Sequence, residues 1–353
     1  MAKVAIIIPT MNRPDFMLRQ FEFYELLNST HPIYILDSSN EENAEKLKNE
    51  IKKFKNFEII YKWAPPGKDH VYSLLPLIKE KYCVQSCDDD FVIPKTISEC
   101  ADFLESHPDY GTCAGRQVNI RFRREDYNKP YGIIEHQTRP LGGSIEDENM
   151  LVRVKRFWSN QFFICFSVTR TETERAIRNI TKNFMMNEDM FEFVLFNVLI
   201  ISGKAKVLDK LGYIMQRSNL SFFNHSLTEE FLLFPAIGEL WKICEEGFSE
   251  VVRKMGISDK ESIIAVRGIF LIYLAQQYDL ENKWFSIGQK KPTTSFHSPA
   301  RQNLFKKIRY FASNTALFKN IYYKLNPPNY VDRPESKYFA DFKIIRDFLE
   351  SKI

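Results

Sequence analysis

Apolar runs of strand length alternate with amphipathic segments of helix length through about the first 120 residues of the chain. The predicted strands cover residues 4–8, 33–36, 57–61, 82–86 and 112–120. The predicted helices between them cover residues 15–27, 41–54 and 69–81. Such alternation is typical of β-α-β units on a parallel sheet. We therefore predict an α/β fold with a doubly wound, mainly parallel sheet.

The pattern changes in the rest of the chain. Residues 121–150 are polar and contain glycines, which predicts a long loop or insertion. The next three segments, predicted as a strand, a helix and a pair of strands, are residues 161–169, 188–202 and 205–216. From about residue 227 the pattern is helical and rich in aromatic residues. We predict an α/β domain over residues 1–221 and a helical C-terminal domain over residues 222–353.

The composition excludes several classes of protein. A hydrophobic share of 44% with 30 phenylalanines favours a folded chain over a disordered one. A net charge of +4 over 353 residues gives no sign of a nucleic-acid-binding domain. The six cysteines form no CxxC pair, and no apolar run reaches the length of a bilayer span. We expect reduced thiols and a cytoplasmic protein without a signal peptide.

Three consecutive aspartates, Asp88, Asp89 and Asp90, directly follow the fourth predicted strand. Parallel sheets bind ligands at the carboxyl ends of their strands, so these side chains should face a binding crevice. Adjacent carboxylates suit Mn²⁺ or Mg²⁺ that carries the phosphates of a ligand. The alternative is a cap for the helix that follows Pro94, but a cap needs only one carboxylate. We expect a metal site.

Four stretches, in the order VAIIIPTMNRPDF, LDSS, CDDDF and NEDMFEF, resemble the motif series of nucleotide-sugar glycosyltransferases with the GT-A fold. The similarity is closest to the large inverting family two and covers residues 3–221. The resemblance implies a GT-A-like sheet and an enzyme that moves a sugar from a nucleotide-diphosphate donor to a hydroxyl. One stretch departs from the family pattern, since PPGKDHVYSLLP stands where the family often has Gly-x-x-x-Ala-Arg-Asn.

The resemblance also implies roles for individual residues. The implied donor-binding residues are Pro9, Thr10, Arg13, Asp37, Lys68, Asp88, Asp89 and Arg217. Among them, Asp37 would accept hydrogen bonds from the nucleotide base and Arg13 would lie near the nucleotide. The implied metal ligands are Asp90 first and Asp88 second, with His225 as a further candidate. Arg217 or His225 could also neutralise the leaving group, although a single histidine among aromatic residues is more often packed in a core.

The pair Glu188 and Asp189 opens a predicted helix. In the family that the chain resembles, this pair lies below the acceptor, which implies that Asp189 is the catalytic base and Glu188 its neighbour. A carboxylate can take the proton of the acceptor hydroxyl. Acids in the first turn also stabilise any helix, so capping is the alternative interpretation.

Residues 301–324 contain basic and aromatic side chains and no acid. Such a segment suits a helical surface that rests on anionic lipid, which would bring the enzyme to a lipid-linked acceptor. An ordinary packed helix with a basic outer face has the same pattern. Both interpretations stay open.

The sequence thus predicts a metal-dependent, inverting glycosyltransferase that transfers a sugar to a cell-surface glycan or a lipid-linked saccharide. A nucleotidyltransferase is one alternative, because it shares the sheet and the metal-binding aspartates. Its glycine-rich opening is absent from IIIPTMNRPDF. A non-catalytic binder of nucleotide sugars is the other alternative, although the presence of both acid clusters argues against it.

Overall fold

The computed structural model describes residues 2–64, 74–126, 128–138, 140–160, 164, 166–182, 188–217, 237–285 and 331–353. Within these ranges, the side chains of residues 160, 188–190, 237–240 and 276–285 are not described. The strands are β1 Val4–Thr10, β2 Ile33–Asp37, β3 Ile59–Trp63, β4 Tyr82–Gln85, β5 Phe91–Val92, β6 Tyr110–Phe122, β7 Ile134–Gln137, β8 Val168–Arg170 and β9 Lys204–Gln216. The α-helices are α1 Pro14–Leu26, α2 Glu41–Ile51, α3 Pro94–Ser106, α4 Met150–Asn160, α5 Thr171–Thr181, α6 Glu188–Ile201, α7 Ile237–Lys254, α8 Asp259–Phe285 and α9 Phe339–Glu350.

The strands form one sheet in the order β3-β2-β1-β4-β8-β6-β9-β5, and β7 pairs with β6 outside this path. The first half, from β3 to β4, is parallel throughout. In the second half β8 lies antiparallel between β4 and β6, while β9 runs parallel to β6 and antiparallel to β5. The predicted α/β fold is confirmed, with the antiparallel pairings confined to the second half of the sheet.

Strand β9 corrects the prediction of two strands in residues 205–216. The segment is one strand of 13 residues, because Gly212 marks a close approach of two backbones and not a turn. A Cβ atom built on Gly212 would lie 2.5 Å from the Cα of Gly115 in β6. Two glycines facing each other therefore let β6 and β9 pair along their length.

The segment 121–150 is more ordered than the predicted loop. It contains β7, which pairs with the end of β6, and Leu141 and Ile145 form bridges to Gln117 and Ala205. The third predicted helix shrinks among the described residues to the 3₁₀ turn Leu75–Leu77, as expected from the proline within it. These corrections leave the order of the parallel strands unchanged.

The core of the sheet includes the last helix. Phe348 of α9 packs 5.9 Å from Phe23 of α1 and 6.4 Å from Phe91 of β5, measured between ring centroids. A second cluster joins α4, α6, α7 and α8 around Phe193 and Trp158. The boundary predicted at residue 221 stays a prediction, because residues 218–236 lie outside the described ranges.

Candidate active site

The parallel strands β1, β2 and β4 end side by side. Thr10 at the end of β1 pairs in register with Asp37 at the end of β2, and β4 ends at Gln85 on the other side of β1. Loops that leave these three ends must share one crevice, which is where open α/β sheets bind ligands. The three-aspartate turn follows β4 at this edge.

The loop after β1 is tied to the loop after β2 through Asn12. Its backbone lies in the left-handed region, with φ of 57°, which asparagine tolerates better than most residues. The backbone N–H of Asn12 donates to Ser39 Oγ at 2.7 Å, and its side-chain oxygen accepts from Asn40 N at 2.9 Å. These bonds fix the loop that ends in Arg13.

Arg13 and Thr10 reach across to the aspartates. The guanidinium of Arg13 lies 2.6 Å from Asp88 Oδ1 and 3.1 Å from Asp89 Oδ2, and its centre lies 3.9 Å from the ring centroid of Phe16. Thr10 Oγ1 donates to Asp88 Oδ2 at 2.8 Å. The structure therefore brings together four of the implied donor-binding residues from two strand ends.

Asp90 is buried and acts as a strut, in that its side chain connects the turn to β9 by hydrogen bonds. Its Oδ1 accepts from Gln216 N at 2.8 Å and its Oδ2 accepts from the Tyr213 hydroxyl at 2.6 Å. Gln20 of α1 supports the turn from below by donating to the backbone carbonyls of Asp90 and Asp88. Burial first, and the charge of Asp89 second, raise the pKa of Asp90 well above its ordinary value.

Burial makes the ionised forms of the aspartates in this turn costly. Burial raises the pKa of Asp88 from 3.8 to about 6, although Arg13 opposes the rise and Asp89 adds to it. A second cation, Arg19, is buried between the rings of Phe16 and Phe91, at 4.9 and 4.6 Å from their centroids. Burial lowers the pKa of Arg19 to about 10, against the attraction of the aspartates. Carboxylates with raised pKa values at this crevice favour the arrival of a further cation.

Sequence reasoning missed Arg19, although a signal was present. Arg19 lies three residues after Phe16 and four before Phe23, and both are apolar residues of the buried face of α1. A charged residue at that spacing is buried with the apolar face. Its guanidinium donates to the Gln216 side chain at 2.6 Å and so connects α1 with the strand that holds Asp90.

Cys87, Asp89 and Asp90 form a group of side chains in the described part of the chain that could bind a metal ion. One sulfur or carboxylate oxygen of each residue lies within 4.8 Å of those of the other two. Ligands on opposite sides of one cation are about 4 to 4.6 Å apart, so this set fits a single ion after small adjustments. Carboxylate oxygens suit Mn²⁺ and Mg²⁺. The residues present therefore fit a divalent cation.

This group of candidate ligands differs from the implied pair of Asp90 and Asp88, which stays a prediction. Both oxygens of Asp88 already face Thr10 and Arg13, whereas Cys87 and Asp89 are half-buried at the crevice. Burial alternates along the turn, so that Gln85, Cys87 and Asp89 are half-buried and the residues between them are buried. The apolar run of β4 gives no sign of this alternation, so the sequence alone did not indicate Cys87.

Asp37 has a structural role in the described geometry. Its side chain is fully buried, with Oδ1 accepting from Ser39 N at 2.8 Å and Oδ2 accepting from the Tyr61 hydroxyl at 2.7 Å. The resemblance implied a contact from Asp37 to the nucleotide base. Oδ1 thus holds the loop after β2, Oδ2 connects β2 to Tyr61 of β3, and each oxygen keeps a second lone pair. The contact from Asp37 to a base stays a prediction.

The remaining predicted residues are either exposed or lie outside the described ranges. Pro9 is exposed within β1, and Arg217 is exposed directly after β9, with its N–H donating to the Ile120 carbonyl at 2.8 Å. Lys68, His225 and residues 301–324 lie outside the described residues. No helix among the described residues has the length and apolar character needed to cross a membrane.

Glu188 and Asp189 form the first residues of α6, and their side chains are not described. The helix is connected to β4 through a partly buried chain of contacts centred on the buried Glu174. Gln85 donates to the Glu174 carboxylate at 2.8 Å, Arg178 donates to it at 2.6 Å, and Arg178 lies 4.6 Å from the ring centroid of Phe191. Phe191 is part of the first turn of α6. The helix that begins with Glu188 and Asp189 is therefore coupled to β4, the strand that precedes the three aspartates.

A scan against protein families finds no match, and no curated protein matches the chain. Among solved structures, the chain is similar to S. aureus TarS 1–349 in complex with UDP-GlcNAc, with 11% identity and a TM-score of 0.46 over 82% of this chain and 76% of that one. It is also similar to the mannosyltransferase PcManGT from Pyrobaculum calidifontis in complex with GDP-Man and Mn²⁺, with 11% identity and a TM-score of 0.43 over 90% and 82% of the two chains. Because the identities and TM-scores are low, the fold assignment rests on the sheet order and connections described above.

Proposed function

We propose that the chain is a metal-dependent, inverting glycosyltransferase that moves a sugar from a nucleotide-diphosphate donor to a hydroxyl of a cell-surface glycan or lipid-linked saccharide. The observation that carries the proposal is the set of hydrogen bonds from Thr10 and Arg13 to Asp88 and Asp89, where β1 and β4 end. The motif order that resembles the GT-A family supplies the reaction class.

The donor site follows from the charges at this edge. Asp89 and Asp90 would hold a Mn²⁺ or Mg²⁺ ion, whose positive charge would stabilise the charge that develops on the departing nucleotide. Arg13 has a planar guanidinium with five N–H donors, some of which remain for a phosphate while it contacts Asp88 and Asp89. The ring of Phe16 holds the guanidinium plane in place while Arg13 contacts both the aspartates and the phosphate.

Acceptor activation is assigned to the start of α6. Direct displacement at the anomeric carbon needs a base for the acceptor proton, and we assign this role to Asp189 with Glu188 beside it. The partly buried contacts from Gln85 through Glu174 and Arg178 support this assignment, because they couple α6 to the end of β4. The base would then keep a fixed position relative to the donor site.

A thermal-shift screen of nucleotide sugars tests the donor half of the proposal. The full chain is heated with UDP- and GDP-sugars, with and without Mn²⁺. A donor at about 100 times its Kd adds about 2.7 kcal/mol of stability, which corresponds to a rise of roughly 4 °C for a chain of this length. We expect the rise only when donor and cation are present together.

The matched variants are Asp89→Asn at the site and Asp102→Asn on the exposed face of α3. Asp89→Asn should abolish the metal-dependent rise, and Asp102→Asn should retain it. A donor-induced rise that is equal with and without cation in the unaltered chain would contradict metal dependence. Release of pyrophosphate during turnover, in place of a nucleoside diphosphate, would favour nucleotidyl transfer.

A further inference from the structure

We propose that Cys87 supplies a thiolate ligand to the divalent cation, beside Asp89 and Asp90, and that the site therefore prefers Mn²⁺, Co²⁺ or Zn²⁺ to Mg²⁺. The proposal rests on the proposed function only in assuming that a cation binds at this turn. The sulfur of Cys87 lies within 4.8 Å of a carboxylate oxygen of each of the two aspartates. A mixed set of one sulfur and two oxygens has a different metal preference from a set of carboxylates alone.

The backbone holds the three ligands in this arrangement. The turn over residues 87–90 is closed by a hydrogen bond from Asp90 N to the Cys87 carbonyl at 3.3 Å. Asp90 at the end of the turn is fixed by Tyr213 and Gln216 of β9. The positions of both ends of the turn are therefore set by the sheet, and the ligands do not depend on a long mobile loop.

Arg13 contacts only one of the two carboxylate oxygens of Asp89. Both contacts of Arg13 to Asp89 use Oδ2, and no donor within the described residues contacts Oδ1 of Asp89. Each oxygen of Asp90 accepts one hydrogen bond, and a carboxylate oxygen has two lone pairs. A cation can thus bind without breaking the contacts that fix the turn.

The position of Cys87 distinguishes it from the other described cysteines. Cys83, Cys100, Cys113 and Cys244 are buried, as expected of cysteines that act as small apolar core residues. Cys87 is half-buried at the crevice, on the same side of the turn as Asp89. On binding a cation its thiol would release one proton to solvent and coordinate as the thiolate.

Titration of the full chain with Co²⁺ tests the proposal, because a cobalt-thiolate bond produces a sulfur-to-metal charge-transfer band that carboxylates do not produce. We expect one Co²⁺ per chain and a saturable band in the near ultraviolet. Cys87→Ser should abolish the band and weaken Co²⁺ binding by about tenfold or more. Cys244→Ala, a change of a buried cysteine in the second core cluster, should leave both unchanged.

Cys87→Asp provides a second variant that converts the site to oxygen ligands only. It should show no band and should bind Mg²⁺ about tenfold more tightly relative to Mn²⁺ than the unaltered chain does. A band that persists in Cys87→Ser would overturn the proposal. Co²⁺ binding without a band, lost in Asp89→Asn and unchanged in Cys87→Ser, would also overturn it while leaving the proposed metal-dependent function intact.

Discussion

Replacing Asp88 by asparagine should stabilise the protein at neutral pH in the absence of metal and donor, even though Asp88 lies at the centre of the candidate site. Burial raises the pKa of this carboxyl from 3.8 to about 6. Each pKa unit corresponds to ~1.36 kcal/mol, so keeping Asp88 ionised in the folded chain costs about 3 kcal/mol above pH 6. Asparagine has the same shape and no charge.

The direction of the pH dependence follows from the raised pKa. The folded chain binds the Asp88 proton more tightly than the unfolded chain, so Asp88 lowers stability as the pH rises from about 4 to about 6. Asparagine removes that loss but accepts more weakly from Arg13 and Thr10, which offsets part of the gain. We expect Asp88→Asn to gain about 1 to 3 kcal/mol near pH 7.5 and well under 1 kcal/mol near pH 4.

Urea unfolding of the metal-free chain at both pH values measures this difference. Asp209→Asn is a control of opposite sign, because Lys337 and Tyr338 lower the pKa of Asp209 to about 2. A lowered pKa means that ionised Asp209 stabilises the chain above about pH 4, and that this contribution is lost as the pH falls toward 2. Lower stability of Asp88→Asn near pH 7.5, or a gain that does not shrink on acidification, would refute the reasoning.

Three further predictions test the base, the strut and the last helix. Asp189→Asn should reduce transfer by about 10²–10⁴-fold while the thermal shift with donor and Mn²⁺ stays near wild type, and a larger loss in Glu188→Gln would place the base there. Asp90→Ala leaves the buried Gln216 N–H without its acceptor and should lower the free energy of unfolding by about 1–3 kcal/mol in urea, whereas Asp90→Asn should keep the fold. Phe348→Ala should cost about 3–5 kcal/mol and should speed hydrogen exchange in α1 as well as α9, and an effect confined to α9 would contradict a shared core.

The parallel half of the fold could be predicted because its signals are local. Each strand there is a short apolar run, and the first two connecting segments form the helices α1 and α2 that their own periods predict. The location of the aspartates followed from one general rule about the carboxyl ends of parallel strands. The strand predicted at residues 57–61 begins at Ile59 instead, because Phe57 turns into the core and lies 6.4 Å from Phe21 between ring centroids.

The continuity of β9 and the hydrogen-bond partners of the aspartates depend on contacts between distant parts of the chain, which a single sequence does not reveal. The continuity of β9 depends on Gly115, which lies almost 100 residues before Gly212. The strut role of Asp90 depends on Tyr213 and on the last residue of β9, Gln216. A single sequence gives the residue types at these positions but not which pairs meet, so the chemistry of the turn was predicted and the partner of each carboxylate was not.

The packing of α9 onto α1 has a consequence for the order in which the protein can be made. Phe23 and Phe348 contact each other across 325 residues of sequence. At a synthesis rate of about 5–20 residues per second, roughly 15 to 65 seconds separate the emergence of the two side chains from the ribosome. During that interval Phe23 and Phe91 contact each other but lack Phe348, so the nascent sheet presents an apolar surface beside the aspartate turn. A chain that stops before α9 therefore exposes the aromatic side chains of α1 and β5 that Phe348 covers in the folded protein.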